Sequence, residues 1–306
     1  MLYRPLGKTG LRVSEIGFGC ASFWGKKIFN ESDAIKLVHA AVDHGVTFFD
    51  TGSSYSGGNA EPRLGRALSQ IKNKHELVIA TKAGSRNARN RVYYDHSPSW
   101  IRQSVEDSLV RLKLDTIPLL HLHGPQPANL TDDLLSTLVK LKEQGKVRHL
   151  GTNNGNIKTI ERVLAIPLFE SVMTNYSILQ PERGTIVDKV ASREFGVPAG
   201  MAVGGGLFQN SWPHFRSLRD AWYAIRAWKN HRSEIQRAKH LQFLRQQDEW
   251  TGGEIAIAWV LRNPSVSSAV FSTTRMEHLL GNVRASGRAL GNEVLHEIDL
   301  AQSKFQ

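Results

Sequence analysis

From about residue 16 onward, short apolar runs alternate with longer stretches whose apolar residues recur every three or four positions. The runs Ile16–Gly19, Val46–Asp50, Leu77–Lys82, Ile117–Leu122, Val147–Gly151, Ser171–Asn175, Val197–Val203 and Val266–Phe271 read as strands. The intervening stretches read as amphipathic helices. One runs from Glu31 to His44, with Asn30 as its N-cap and Gly45 as its stop. A second opens with Ser97 as N-cap and Pro98 at its first position, and sets Ile101, Val105, Ser108, Leu109 and Leu112 on one face. A third spans Thr131 to Gln144 and stops at Gly145. Ahead of this rhythm, Leu2–Leu6 and Leu11–Ser14 flank Gly7-Lys8-Thr9-Gly10, which has the chemistry of a hairpin turn.

Eight strands separated by helices predict an α/β protein with a parallel sheet, and eight is the number that closes a barrel. A doubly wound sheet would want a three-glycine phosphate loop after its first strand. Gly17-Phe18-Gly19-Cys20-Ala21-Ser22 lacks the third glycine. The expected architecture is therefore one (β/α)8 TIM-barrel domain over residues 1–306, with an N-terminal β-hairpin. An extended helical insertion, residues 207–250, follows the seventh strand and carries Trp212, Trp222, Trp228 and Trp250. It reads either as a lid over the site or as an outer helix pair packed on the barrel.

Composition narrows the class. A hydrophobic fraction of 41% and a charged fraction of 22% belong to a globular chain. No apolar run has the length of a membrane span, and Met1-Leu2-Tyr3-Arg4-Pro5 lacks the apolar core of a secretory signal. Cys20 is the single cysteine, which excludes an internal disulfide and fits a reducing compartment. A cytoplasmic location is the expectation. The formal charge of +11 suits an anionic small molecule or a merely solvated surface. No nucleic-acid signature or metal-ligand spacing accompanies it, so neither nucleic acid, membrane nor metal is expected as a partner.

Active sites on barrels sit where the strands end at their C-terminal side. The second run ends in Asp50 with Tyr55 in the glycine-rich loop beyond, the third in Lys82, and the fourth in His121-Leu122-His123. Taken singly, Asp50 could cap a turn, Lys82 could face solvent and His123 could be a core histidine. Together they converge on one mouth.

At these residues the chain resembles the aldo-keto reductases over nearly its whole length. Leu6 to Ser14 is similar to the family's opening hairpin, and Phe49-Asp50-Thr51-Gly52-Ser53-Ser54-Tyr55 through Glu61 to its second-strand segment. Arg111-Leu112-Lys113-Leu114-Asp115 leading to His123-Gly124-Pro125, and Gly145-Lys146-Val147-Arg148-His149-Leu150-Gly151, resemble its fourth- and fifth-strand motifs. The resemblance implies a catalytic tetrad of Asp50, Tyr55, Lys82 and His123, with His121 packed one layer deeper. Hydride delivery to a carbonyl carbon puts negative charge on the oxygen, which Tyr55 would protonate. An adjacent Lys82 ammonium is expected to lower the tyrosine pKa, Asp50 to hold that lysine, and His123 to position the carbonyl.

The resemblance also implies a nicotinamide cofactor, NADP(H) in preference to NAD(H). Asn153 and Asn154 stand where the family holds the nicotinamide amide, while Met173 replaces its glutamine. The run Met201 to Gly206 is shorter than the family's seventh-strand end. Ser272, Thr273, Arg275, His278 and Asn282 fall on the cofactor clamp, with Gly281 in place of a glutamate, and residues 207–250 would be its lid. Trp24, Arg89 and Arg91 are the expected substrate-pocket residues for a small carbonyl or alcohol. Two other readings remain open: a cofactor-binding barrel subunit with little or no turnover, and a Schiff-base enzyme using Lys82.

Overall fold

The computed structural model describes residues 1–88, 91–206, 221, 224–225, 228–229, 232–245 and 249–305. Strands β1 (Tyr3–Pro5) and β2 (Arg12–Ser14) form the antiparallel hairpin, in register Tyr3↔Ser14. The barrel follows as β3 (Ile16–Gly19), β4 (Phe48–Asp50), β5 (Val78–Ala83), β8 (Ile117–His123), β9 (Val147–Asn153), β10 (Ser171–Asn175), β11 (Pro198–Gly200) and β12 (Ser268–Phe271). These eight are parallel and close on themselves, with β12 paired to β3. All eight expected strands are present. The fourth extends past Leu122 to take in His123, and the seventh is shorter than its apolar run.

The pair β6 (Ser85–Ala88) and β7 (Arg91–Tyr94) forms an antiparallel hairpin outside the barrel. The sequence had suggested only a charged loop there, because both strands are largely exposed and lack an apolar face.

The barrel interior is filled, not hollow. Leu6 and Val13 of the hairpin close its lower end against Phe48, Val78, Ala80, Leu119, Met173 and Val270. Space there is tight: a Cβ on Gly17 would sit 2.8 Å from both Phe48 Cδ1 and Ser268 Oγ. Outward-facing strand residues such as Phe18, Phe49, Ile79 and Leu150 pack under the helices.

The helical layer follows the capping signals. In α1 (Glu31–Asp43), Asn30 accepts from the Asp33 amide, and Ala34, Leu37, Val38 and Ala41 are buried. Helix α2 (Ala60–Leu68) meets α3 (Pro98–Leu112), which Ser97 caps. Thr131 caps α4 (Asp132–Glu143), and Asn156 caps α5 (Ile157–Leu164). Then come α6 (Gly184–Ala191), α7 (Arg232–Lys239), α8 (Gly252–Leu261), α9 (Met276–Arg284) and α10 (Asn292–Gln302).

Most of the 207–250 stretch, including Trp212 and Trp222, lies outside the described residues. The described residues 232–245 dock on the barrel. Ala238, Leu241 and Leu244 join the core, Arg237 donates to the Leu179 carbonyl at 2.7 Å, and Gln180 to Glu234 at 3.0 Å.

Candidate active site

Four strand ends supply the site. Pairing sets Lys82 beside His121 and His123 beside Asn153, and because side chains alternate along a strand, Asp50, Lys82, His121 and His123 share the inner face. Lys82 is fully buried, and its Nζ donates to Asp50 Oδ1 and to the Thr51 carbonyl at 2.7 Å. Tyr55 opens a short 3-10 turn through Gly58, in which Gly57 takes φ +73°. Its ring lies over the strand end, 4.7 Å from Lys82 Nζ to the ring centroid. His123 stands edge-on to it, with centroids 5.6 Å apart. The four expected catalytic residues are thus brought together.

Burial dominates the electrostatics. It pushes the Tyr55 phenol above its ordinary 10; Lys82 opposes this and the Asp50 charge adds to it. The lowering expected from Lys82 acts, but it is outweighed by loss of solvent around the ring. Burial works against the Lys82 ammonium too, yet Asp50 and then Tyr55 hold its pKa above 10.5, so the lysine stays charged. Burial raises Asp50, against the pull of Lys82. His123 is driven down to about 3 by burial, then by Lys82 and His96, and is neutral at physiological pH. His121 is lower than usual for the same reason. It is fully buried, with Nε2 3.2 Å from Ser171 Oγ, one layer below the mouth as expected.

The β6–β7 hairpin brings in residues the sequence did not point to. Ser85 Oγ lies 2.9 Å from His123 Nδ1 and 2.8 Å from Ser54 Oγ. Tyr94 packs edge-on to His123 at 5.7 Å and parallel to His96, whose Nε2 bonds the His123 carbonyl at 3.1 Å. The tyrosine pair before the Ser97 cap was the one available signal. Behind the site, Thr81 and Arg111 both donate to the buried Glu61, at 2.5 and 2.7 Å, tying β5 to α2 and α3.

The residues assigned to a cofactor fall in two places. Asn153 sits on β9 beside His123, its Nδ2 3.4 Å from the Met173 carbonyl. Asn154 donates to the Pro125 carbonyl at 2.6 Å and accepts from the Asn156 amide at 2.7 Å, so both ends of its amide serve the loop. Met173 is buried against the lower barrel. Beyond β12, Ser272 Oγ approaches the Ala21 carbonyl at 3.4 Å, and Thr273 Oγ1 accepts from the Arg275 amide at 3.2 Å. Arg275 stands at the N-cap of α9, where no side chain caps the helix; His278 lies in its first turn. Asn282 is buried beside Gly253, and a Cβ on Gly281 would lie 3.7 Å from Glu254 Oε1, which Arg284 holds at 3.0 Å.

The substrate-pocket expectations fare differently. Trp24 is fully buried, donates from Nε1 to the Ala34 carbonyl at 3.1 Å and packs edge-on to Phe18. It belongs to the layer between barrel and α1 and is not a pocket wall. Arg91 starts β7 on the exposed hairpin, and Arg89 lies outside the described residues. Arg86 is engaged by Asp95 at 3.1 Å and stacks over Trp100. Among the described residues no cluster of His, Cys, Asp or Glu could hold a metal ion, and no helix is long and apolar enough to cross a membrane.

Comparison with known proteins bears on this geometry. A model of the aldo/keto reductase family matches residues 15–302. An uncharacterized oxidoreductase, YqkF, of Bacillus subtilis is 26% identical, covering 94% of this chain and 91% of its own. A probable aldo-keto reductase 1 of Glycine max is 29% identical, covering 96% and 86%. Among solved structures, aldo-keto reductase AKR11C1 from Bacillus halodurans aligns with a TM-score of 0.80 at 24% identity, covering 98% of this chain and 96% of that one. The glycerol dehydrogenase AKR11B4 from Gluconobacter oxydans aligns at 0.82 and 22%, covering 99% and 95%. These two likenesses support the fold.

Proposed function

Because the chain belongs to the aldo/keto reductase family, a family of oxidoreductases, we propose that it reduces an aldehyde or ketone to an alcohol, or runs the reverse reaction, with NADP(H). The observation that carries this reading is the convergence of Tyr55, Lys82, Asp50 and His123 on one mouth, with the lysine buried and charged.

The chain's residues fit a dinucleotide. Ser272, Thr273, Arg275 and His278 lie at the start of α9, where Thr273 accepts from the Arg275 amide and the Arg275 side chain does not cap the helix, an end that suits a phosphate. Arg275 beside it favours the 2'-phosphate of NADP(H) over NAD(H). At the other end Asn153 offers an amide at the mouth, while Met173 offers no polar group. A lid role for the 207–250 stretch is part of this reading, and the contact of Glu234 with Gln180, beyond the end of β10, supports it.

When bound, a reduced nicotinamide supplies the hydride. The protein handles the charge left on the carbonyl oxygen. Tyr55, protonated throughout the neutral range because burial raises its pKa, donates its proton to that oxygen. Lys82, held charged by Asp50, stabilises the phenolate that remains. His123 is neutral and meets the substrate oxygen through a ring nitrogen.

The test is Tyr55→Phe, which keeps the ring against Lys82 and removes the proton. Turnover of a carbonyl panel should fall by ~100-fold or more, with NADPH affinity unchanged in a tryptophan-fluorescence titration. Near-normal turnover would remove Tyr55 from this role.

A further inference from the structure

A hydrogen-bond chain runs from the loop before Tyr55 to the imidazole of His123. Ser85 Oγ donates to Ser54 Oγ at 2.8 Å, and the same oxygen lies 2.9 Å from His123 Nδ1. A hydroxyl carries one proton. With that proton directed to Ser54, Ser85 can only accept at His123, and the imidazole must place its own proton on Nδ1.

We propose that the Ser54–Ser85 pair sets the tautomer of His123, holding it as the Nδ1–H form with Nε2 a hydrogen-bond acceptor, so that the resting site is matched to the hydroxyl of an alcohol rather than to a carbonyl oxygen. Its consequence for ligands rests on the oxidoreductase reading; the tautomer does not.

Two features make the chain decisive. Ser85 is fully buried and Ser54 nearly so, so water does not compete for their protons. Both are also held by their backbones. Ser85 pairs with Tyr94 across the β6–β7 hairpin, and the Ser54 carbonyl accepts from Asn87 Nδ2 at 3.2 Å. The groups around the ring leave it neutral: buried Lys82 on one side, Tyr55 and Tyr94 edge-on, and His96 at its carbonyl. A neutral imidazole has one donor and one acceptor, and the partner of Nδ1 decides which is which.

A carbonyl oxygen only accepts. To engage it, the chain must reverse: Ser54 donates to Ser85, Ser85 donates to Nδ1, the Nδ1 proton is lost to solvent and another is taken up at Nε2. The proton count is unchanged. Ser85 is a positioning residue in this scheme, acting through His123.

The experiment is nitrogen-15 NMR of histidine-labelled, full-length, cofactor-free protein at neutral pH, with His123→Gln to identify the signal. The wild type should show the proton on Nδ1. In Ser54→Ala the acceptor for the Ser85 proton is gone, so that proton turns to Nδ1 and the signal should switch to the Nε2–H form; Ser54→Thr, which restores a hydroxyl, should keep the wild-type pattern. A wild-type Nε2–H ring, or a tautomer unmoved by Ser54→Ala, overturns the proposal. In kinetics, Ser54→Ala should lower KM for a carbonyl and raise it for the matching alcohol, each by about fivefold, the worth of one neutral hydrogen bond. If the tautomer switches as stated while neither substrate class is turned over, the tautomer assignment stands and the oxidoreductase reading fails.

Discussion

Lys82 has no exposed surface, and its ammonium is held by one carboxylate and one backbone carbonyl. A buried charge is tolerable only with its partner in place. Asp50→Asn should therefore cost about 3–5 kcal/mol of stability, because it strands the ammonium. Adding Lys82→Met should return part of that loss. Urea unfolding of the three proteins checks this, and an Asp50→Asn midpoint equal to wild type would contradict it. At this scale the sequence was readable where a chemical group closed an apolar run: Asp50 and His123 each end a strand, Lys82 stands one residue before the end of one, and Tyr55 follows one. It misled at Trp24, since an aromatic after a strand looks the same whether it faces the mouth or lies under a helix. It was silent on Ser54 and Ser85, whose importance comes from a hairpin folding over them.

Helix α2 approaches α3 so closely that a Cβ on Gly65 would stand 2.1 Å from the Arg111 carbonyl oxygen. Backbone cannot yield as a side chain would. Gly65→Ala should force the helices apart and destabilise the protein by about 1–3 kcal/mol. It should also loosen the Glu61–Arg111 contact behind β5. A thermal midpoint unchanged by this substitution would mean that the two helices can slide. The elements legible in the sequence were those with a cap and an apolar stripe, as in α1, α3 and α4. The β6–β7 hairpin had neither. Its strands gain their order from pairing with each other above the mouth, and its one apolar cue, Val92-Tyr93-Tyr94, is exposed.

Across the whole molecule, eight apolar runs alternating with helices anticipated a parallel sheet buried on both faces, and the missing third glycine after Gly17 and Gly19 turned the choice from a doubly wound sheet to a closed barrel. The 207–250 stretch could not be read in the same way, since its tryptophans are compatible with either packing or covering. The barrel also carries an acid sensitivity. His96, His121 and His123 all have pKa values pushed below 6.5 by burial, His123 to about 3. Below pH 6.5 the unfolded chain takes up protons that the folded protein refuses. Stability is then complete above that pH and is lost as pH falls toward 3. The formal charge of +11 adds repulsion in the same direction. Urea midpoints should drop between pH 7.5 and pH 5, well before most carboxylates titrate; equal midpoints would show that these histidines are as accessible folded as unfolded.

If this barrel moves a hydride between a nicotinamide and a carbonyl, with Tyr55 supplying the proton, the transferred hydrogen can be followed in the product. The most direct measurement uses NADPH deuterated at the transferring carbon and mass spectrometry of the product from a carbonyl panel. The wild type should place one deuterium on the former carbonyl carbon, faster from NADPH than from NADH, and Tyr55→Phe almost none. Unlabelled alcohol, or no alcohol from well-folded protein that binds NADPH, would contradict it.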